Sequence, residues 1–391
     1  MRRPIATLGL MVLVYRYRVK SLNALLTRQA RAVSFVWNYC NERQKDALRF
    51  GRRWLTGFDL NRLTAGSSKE LGVHSGTINA VCEQYAKSRS VKKRPFLRYR
   101  GRRSLGWVPL KGRDIRETPA GFHFHGREFR VFKSRNLPAG AKIRDGTNFS
   151  RDARGHWFLN VAVEVAAAEA RPIASGVGID LGLKDLAVLS TGDRIENPRH
   201  LRRLQTNLAT AQRAGKKRQA TSIHARIANS RRDFLHKTAL HIVRRFDYIA
   251  VGNVNAAGLA RTSMAKSVLD AGWSSFRDML RYKAIAHGAT FEEVNESFST
   301  QTCNACGVIA GPRGRAGLNE RRWTCGCGAE HDRDVNAARN ILMRGSGHGT
   351  PVEGIPAFWR GEDVKESSCI LLLLKQGESY KQEERRTAPR P

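Results

Sequence analysis

Alternation of apolar and polar residues gives the first elements of this chain. Ile5–Val14 is an apolar run that Tyr15–Lys20 continues with alternating character, which predicts an N-terminal strand. Ser21–Phe50 then carries Leu22, Leu25, Leu26, Ala32, Phe35 and Val36 at helical spacing, and a second helix is expected over Ser75–Ser88. From Gly121 to Val165, short alternating segments (Phe122–His125, Glu128–Lys133, Trp157–Glu164) are separated by Gly, Asp and Asn turns and read as antiparallel strands. With the N-terminal strand they suffice for a small barrel.

Ala166–Ser175 is Ala-rich, contains Pro172 and reads as a linker. Beyond it the texture becomes α/β: a strand over Gly176–Asp180, a helical hairpin from Arg199 to Arg245 broken near Gly215, and a buried-type strand at Tyr248–Val251. An amphipathic helix around Phe276–Ala286, a strand near Ala289–Asn295 and a helix over Asp334–Met343 follow. The tail from Gly345, rich in Gly, Pro and charge, is expected to be largely disordered.

Charge changes the picture. The 391 residues hold 69 Lys and Arg against 34 Asp and Glu, a formal charge of +35. Such a chain repels itself when compact unless a polyanion neutralises it, so nucleic acid is the expected partner, with a ribosomal-type or merely cationic protein as the plainer alternative. The charge is concentrated: the first 110 residues hold 23 Lys and Arg and 5 acids, and Arg199–Arg245 holds 13 with Asp233 as the one acid. Between Arg89 and Arg103 the basic residues Lys92, Lys93, Arg94, Arg98, Arg100, Arg102 and Arg103 interleave with Phe96 and Tyr99, and Trp107 follows. That mixture suits phosphate contact with base stacking; a solvated charged loop is the bland reading. Lys216, Lys217, Arg218, Arg231 and Arg232 are the corresponding candidates in the hairpin.

No stretch reaches the roughly 20 apolar residues of a membrane helix, so a soluble protein is expected. Arg2 and Arg3 ahead of the first apolar run faintly resemble a secretion signal, but no A-x-A site follows and the alternating continuation favours a strand.

Four of the seven cysteines crowd into Cys303-x2-Cys306 and Cys325-x-Cys327, flanked by Gly307, Gly326 and Gly328. Two thiolate pairs on tight turns suit tetrahedral Zn²⁺, although the second pair is one residue shorter than usual; four reduced cysteines without metal are the alternative. With all four positions filled by protein, such a zinc is structural. Cys40, Cys82 and Cys369 stand alone, and the pattern fits a reducing compartment rather than a disulfide scaffold.

Three carboxylates stand at expected element ends. Asp180 follows an apolar strand, where a simple turn is the alternative; Asp334 opens a helix, where N-capping is the alternative. Glu292, Glu293 and Glu296 end a strand just before the cysteines, where a solvated acid is the alternative. Three carboxylates converging from two strands and a helix end would hold a pair of Mg²⁺ or Mn²⁺ ions suited to phosphodiester hydrolysis.

Gly178-Ile179-Asp180-Leu181-Gly182, Asp270-Ala271-Gly272-Trp273, Thr302-Cys303-x-x-Cys306-Gly307 and Asp332-Arg333-Asp334-x-Asn336-Ala337-Ala338-x-Asn340-Ile341 together resemble the TnpB family of transposon-encoded, RNA-guided DNA nucleases. The resemblance spans roughly Val14 to Leu342, and Arg94-Pro95-Phe96 and Phe35-x-x-Asn38 match further family features. It implies a multidomain α/β plus β fold: a wedge β-barrel over 1–20 and 105–170, and a helical recognition domain inserted over 21–104. A RuvC nuclease domain of RNase H-like fold is implied over 171–301 and 329–344, with a zinc ribbon inserted at 302–328 and the tail at 345–391. Also implied are a guide RNA from the transposon end, double-stranded DNA as target, Mg²⁺ and Zn²⁺ as cofactors, one protein per RNA and a cytoplasmic, nucleoid-associated location in a prokaryote.

In the family the first and last catalytic aspartates match Asp180 and Asp334. The middle glutamate usually follows the strand matched by Tyr248–Val251, but this chain reads Val251-Gly252-Asn253-Val254-Asn255. Two implications stay open. The chain is similar to the eukaryotic Fanzor proteins and a related TnpB group, which take the glutamate from just before the zinc ribbon, where Glu296 stands. Alternatively, loss of the glutamate leaves an RNA-guided DNA-binding repressor that does not cut. A third reading, a DNA-binding accessory protein of a transposon, predicts DNA binding without RNA.

Overall fold

The computed structural model describes residues 9–313, 317 and 320–346, which fall into two compact units meeting at Ala166 and Ala167. The expected disorder of the tail from residue 347 lies outside the described residues. Among them, no helix is long and apolar enough to cross a membrane.

The first unit begins with β1 (Leu10–Val19), then α1 (Asn23–Arg49), α2 (Gly57–Leu63), α3 (Ser68–Leu71) and α4 (Ser75–Val91). Strands β2 (Trp107–Pro109), β3 (Ile115–Glu117), β4 (Gly121–Phe124), β5 (Arg127–Phe132), β6 (Lys142–Ile143), β7 (Asn148–Arg151) and β8 (Trp157–Ala166) complete it. The sheet order is β2-β7-β8-β1-β5-β4-β3, with β6 also on β8, so β2 and β3 are its two ends. These end strands are consecutive in the chain and linked by one short 3₁₀ turn, Gly112–Asp114, so the sheet curls back on itself. No ladder joins β2 to β3, so the expected barrel is not closed by hydrogen bonds between its end strands. Tyr17, Val19, Phe122, Phe124, Phe129, Phe149 and Trp157 from the sheet share one core with Leu26, Val33, Cys40, Val81 and Tyr85 from the helices. Residues 26, 30, 33 and 40 of α1 form the buried stripe that helical spacing requires.

The second unit starts with β9 (Gly176–Leu181), β10 (Asp185–Leu189) and β11 (Arg194–Glu196), followed by the hairpin α5 (His200–Arg213) and α6 (Lys217–Arg245). The hairpin turns at Gly215, whose positive φ of 64° favours glycine, and closes Leu208 and Ala211 on Ile223 and Ile227. Then come β12 (Tyr248–Gly252), α7 (Ala256–Leu259), α8 (Ala265–Ala271), α9 (Trp273–His287) and β13 (Thr290–Val294). A two-stranded hairpin, β14 (Arg322–Thr324) with β15 (Glu330–Asp332), precedes α10 (Arg333–Gly345). The five-stranded sheet runs β11-β10-β9-β12-β13, with β9, β12 and β13 parallel. Every residue of β12 is buried, as expected of a parallel strand covered on both faces.

Helix α10 lies close on that sheet because β9 carries glycine at 176 and 178 on the face toward it. A Cβ on Gly178 would strike the Ala338 carbonyl, and one on Gly176 would touch Leu342, so helix and strand run antiparallel. Ala337 and Ala338, both fully buried, let the helix sit flush.

Candidate active site

The register of β9 against α10 brings two of the sequence-predicted acids together. Ala338 faces Gly178; one helical turn back is Asp334 and two strand residues on is Asp180, a step of about 6 Å along each element. The third acid arrives across the sheet. Val251 pairs with Ile179 and Gly252 with Val294, so the next position on each strand sets Gly252 beside Asp180, and Glu296 follows two residues after Val294. All three therefore gather at the carboxyl ends of parallel strands, where α/β sheets bind ligands.

Glu296 fills the space that a side chain on Gly252 would take: its Oε2 lies 2.6 Å from the position of a Cβ there, and Ile341 Cδ1 lies 3.1 Å from it. Its backbone amide donates to Asn253 Oδ1 at 3.3 Å. The neighbouring acids are engaged elsewhere: Tyr248 donates its hydroxyl to Glu292 at 2.6 Å, and Arg281 pairs with Glu293.

Electrostatics mark the cluster. Burial, then the charges of Glu296 and Asp334, push Asp180 up to about 8 against the pull of Arg333. Burial likewise raises Glu296, opposed by Arg277. Carboxyls raised in this way lack a full compensating cation among their neighbours.

Asp334 is not the helix cap that its position allowed. Asp332 takes that role, accepting from the amides of Asp334 and Val335 at 3.1 Å each. The Asp334 carboxylate instead meets Arg321 Nη1 at 2.6 Å, Arg333 Nη2 at 3.4 Å and Arg194 Nη1 at 3.6 Å. Arg194 is itself held by Asp185 at 3.0 Å and by Asp332 at 2.7 Å. None of these arginines was a site candidate: Arg333 stands in the Asp332–Ile341 motif with no role assigned to it, and Arg194 and Arg321 lie outside any motif, where a lone Arg gives no signal of the acid it folds onto.

The cysteines converge. The ligand atoms of Cys303, Cys306, Cys325 and Cys327 lie within 4.8 Å of one another, the one such group of His, Cys, Asp or Glu among the described residues. Sγ separations of 3.8 Å (Cys303–Cys327) and 3.6 Å (Cys306–Cys325) match the edge of about 3.8 Å set by zinc–sulfur bonds in a tetrahedron. The short Cys-x-Cys spacing is accommodated at the tip of the β14–β15 hairpin, where the Cys325 amide donates to Ala329 O at 2.9 Å and Gly328 has φ 87°. His331, also missed from sequence, places Nε2 3.0 Å from Cys303 Sγ.

Two asparagines of α10 tie this cluster to the acids. Asn340 Nδ2 donates to Ser299 O at 2.8 Å and Thr302 O at 2.7 Å; Asn336 Nδ2 reaches the same carbonyls at 3.3 and 2.7 Å. Both are buried and hold the segment between Glu296 and Cys303. Asp270, also buried, accepts from the Leu201 amide at 2.9 Å and so fixes the start of α5.

In the first unit, α1 clamps the basic run as an extended segment. Trp37 Nε1 donates to Arg98 O at 3.2 Å, Asn38 exchanges bonds with the Arg100 backbone, and Asn41 Oδ1 accepts from the Leu97 amide at 2.9 Å. Lys92, Lys93, Arg94, Phe96, Arg98, Tyr99, Arg102 and Arg103 are exposed there, as are Lys216, Lys217 and Arg218 at the hairpin turn. Two candidates do not belong with them. Arg100 packs over Trp107 and donates to Ser34 Oγ at 3.3 Å and Leu105 O at 2.8 Å. Arg231 donates to Leu269 O at 3.0 Å and lies 3.6 Å from Asp270. Arg232 is half-buried beside it.

Comparison with known proteins agrees with these motifs. A family model described as "Cas12f1-like, TNB domain" matches residues 273–341, and one described as "Probable transposase" matches residues 159–263. A "Putative RNA-guided DNA endonuclease" of Streptomyces pristinaespiralis is 40% identical over 226 residues, covering 54% of this chain and 55% of that protein. "Putative RNA-guided DNA endonuclease InsQ" of Escherichia coli K12 is 31% identical over 221 residues, covering 49% and 54%. "TnpB-like protein L79" of Acanthamoeba polyphaga mimivirus is 26% identical over 195 residues, covering 43% and 37%. The chain thus spans about half the length, or less, of the curated relatives it matches. The solved structure of the "mini-RNA-guided endonuclease CRISPR-Cas_phi3" aligns over 89% of this chain and 94% of that one, with 8% identity and a TM-score of 0.42. One family match falls wholly and the other mostly on the unit that carries the acids and cysteines, and together with these relatives they support a TnpB family member.

Proposed function

We propose that this chain is an RNA-guided DNA endonuclease of a transposon, with a RuvC-type site formed by Asp180, Glu296 and Asp334. The observation that carries the reading is the Glu296 carboxylate in the space beside Gly252, next to Asp180. A side chain at 252 and the side chain of Glu296 would compete for that volume, so glycine at 252 is what a relocated glutamate requires. The three acids fit Mg²⁺ or Mn²⁺: they are hard oxygen donors, two of them raised by burial, at strand ends. When bound, a pair of such ions activates water and stabilises the leaving oxygen of a phosphodiester.

The chain's own residues supply the frame. Asp332 caps α10, so Asp334 is not spent on the helix end, while Asn336 and Asn340 fix the Glu296 segment to the same helix. The zinc ribbon is structural in this reading, with Cys303, Cys306, Cys325 and Cys327 as ligands. Lys92, Lys93, Arg94, Arg98, Arg102 and Arg103 with Tyr99, and Lys216, Lys217 and Arg218, are proposed to hold the backbones of a transposon-end guide RNA and its DNA heteroduplex. Sequence is then read by base pairing, with a short motif beside the target read by the protein.

The test is cleavage of a plasmid library by protein co-expressed with RNA from its flanking transposon end, in Mg²⁺. Cleavage by the native chain, lost in both Glu296→Ala and Asp180→Ala, is the expected result. Guided binding without cleavage by the native chain would instead make it a repressor, and DNA binding with no co-purifying RNA an accessory protein.

A further inference from the structure

The zinc-ribbon side of the second unit reaches into the acid cluster through one side chain. Arg321 stands immediately before β14, and its carbonyl accepts from the Arg333 amide at 2.8 Å, which pins its backbone beside the first residue of α10. From there its guanidinium reaches Asp334 Oδ2 at 2.6 Å, the shortest of the three arginine contacts to that carboxylate. Arg194 is tethered by Asp185 and Asp332, and Arg333 donates to Gly317 O at 3.1 Å. Arg321, by contrast, has a side chain 41% exposed, so it has room to swing into solvent when its partner is taken.

We infer that Arg321 is a positioning residue that occupies Asp334 in place of a divalent cation and must release it before the acid site can load, so that the ribbon sets metal occupancy of the site. The inference rests on the reading of Asp180, Glu296 and Asp334 as a metal site. A guanidinium bonded to a carboxylate uses the lone pairs a metal needs and adds a positive charge that repels it; a cation therefore binds only against the pair. The charge also matches a phosphodiester oxygen, a better partner for a planar fork than water, so entry of a nucleic-acid strand would favour the released state.

The experiment is Mn²⁺ titration of the zinc-loaded full chain without nucleic acid, reading free Mn²⁺ by EPR. The proteins compared are the native chain, Arg321→Ala, Arg321→Lys, Arg322→Ala and Asp180→Ala, with zinc content and melting temperature confirming the fold of each. Arg322 is exposed on the next residue, so Arg322→Ala removes the same charge without touching Asp334 and accounts for long-range electrostatics. Arg321→Ala is expected to bind Mn²⁺ about tenfold more tightly than the native chain, about 1.4 kcal/mol. Arg321→Lys should fall between the two, and Arg322→Ala should stay within about twofold of native. Equal or weaker binding by Arg321→Ala, with a site that Asp180→Ala still abolishes, overturns the inference and leaves the metal site standing. No Asp180-dependent binding in either the native chain or Arg321→Ala overturns the metal site and the inference with it.

Discussion

Glu296 and Gly252 are complementary: the glutamate's Oε2 stands 2.6 Å from where a Cβ at 252 would be. Gly252→Ala therefore forces Glu296 aside without removing any catalytic atom. A displacement of this size costs about a hundredfold in rate when the displaced group acts on the reaction, and guided plasmid cleavage is expected to fall by that factor. Gly252→Glu with Glu296→Ala returns a carboxylate to the same volume from the other strand and should recover part of the loss. If the double variant is as inactive as Glu296→Ala and the alanine at 252 is harmless, the two positions do not share one site.

Some of this arrangement is legible in the sequence and some is not. Asp180 and Asp334 stand in contiguous motifs, so a strand end and a helix start could be read directly. Glu296 is visible only as a glutamate standing where another is missing, because its role depends on two strands being parallel and in register. Arg194 reaches Asp334 from a distant strand and Arg321 through the fold-back of the β14–β15 hairpin, neither of which periodicity encodes. Strands β2, β3, β6 and β7 run two to four residues and are too short for alternation to show. In the basic run, composition treats Arg98 and Arg100 alike; the hydrogen bonds from α1 decide which faces water.

The contribution of Asp180 to the stability of the metal-free chain should fall as pH rises. In the unfolded chain Asp180 titrates near the ordinary carboxylate value, about 3.9, whereas in the fold burial first and then Glu296 and Asp334 raise it to about 8. Below the lower value both states hold the proton. Between the two, the unfolded chain releases a proton that the native state retains, so the folded form loses ground until about pH 8 and then levels. The side chain is half-buried, so the expected loss across the window is about 2 kcal/mol, less than the full shift implies. Thermal denaturation from pH 4 to 9 should show the decline as a loss of native stability relative to Asp180→Asn, and a constant difference between the two across that range would mean that Asp180 makes no such contribution.

Loss of one buried asparagine should be felt at both clusters. Asn340→Ala strips a shared donor from the carbonyls of Ser299 and Thr302, and a cost of about 2 kcal/mol is expected. Because those carbonyls lie between Glu296 and Cys303, limited proteolysis should begin within 297–304 before the rest of the chain is cut. Zinc analysis should give one ion per native chain, and Cys325→Ser should lower that content and open the same segment. A variant that melts as the native chain does, with protected 297–304, would mean that Asn336 alone holds the segment.

Arg98 and Arg100, two residues apart, should behave oppositely. Arg98 points its side chain to solvent while Trp37 holds its carbonyl, so Arg98→Ala removes a candidate phosphate contact and little else. Binding to guide RNA should weaken, and the slope of log affinity against log salt should drop by about one unit, the signature of one lost ionic contact. The melting temperature should not move. Arg100 donates to Ser34 and Leu105 and packs over Trp107, and burial lowers its pKa, so Arg100→Ala leaves acceptors unpaired in the first unit. It should cost about 1–3 kcal/mol of stability with the salt slope unchanged. Measured side by side, a reversed pattern would put Arg100 on the nucleic acid and make Arg98 an ordinary solvated cation.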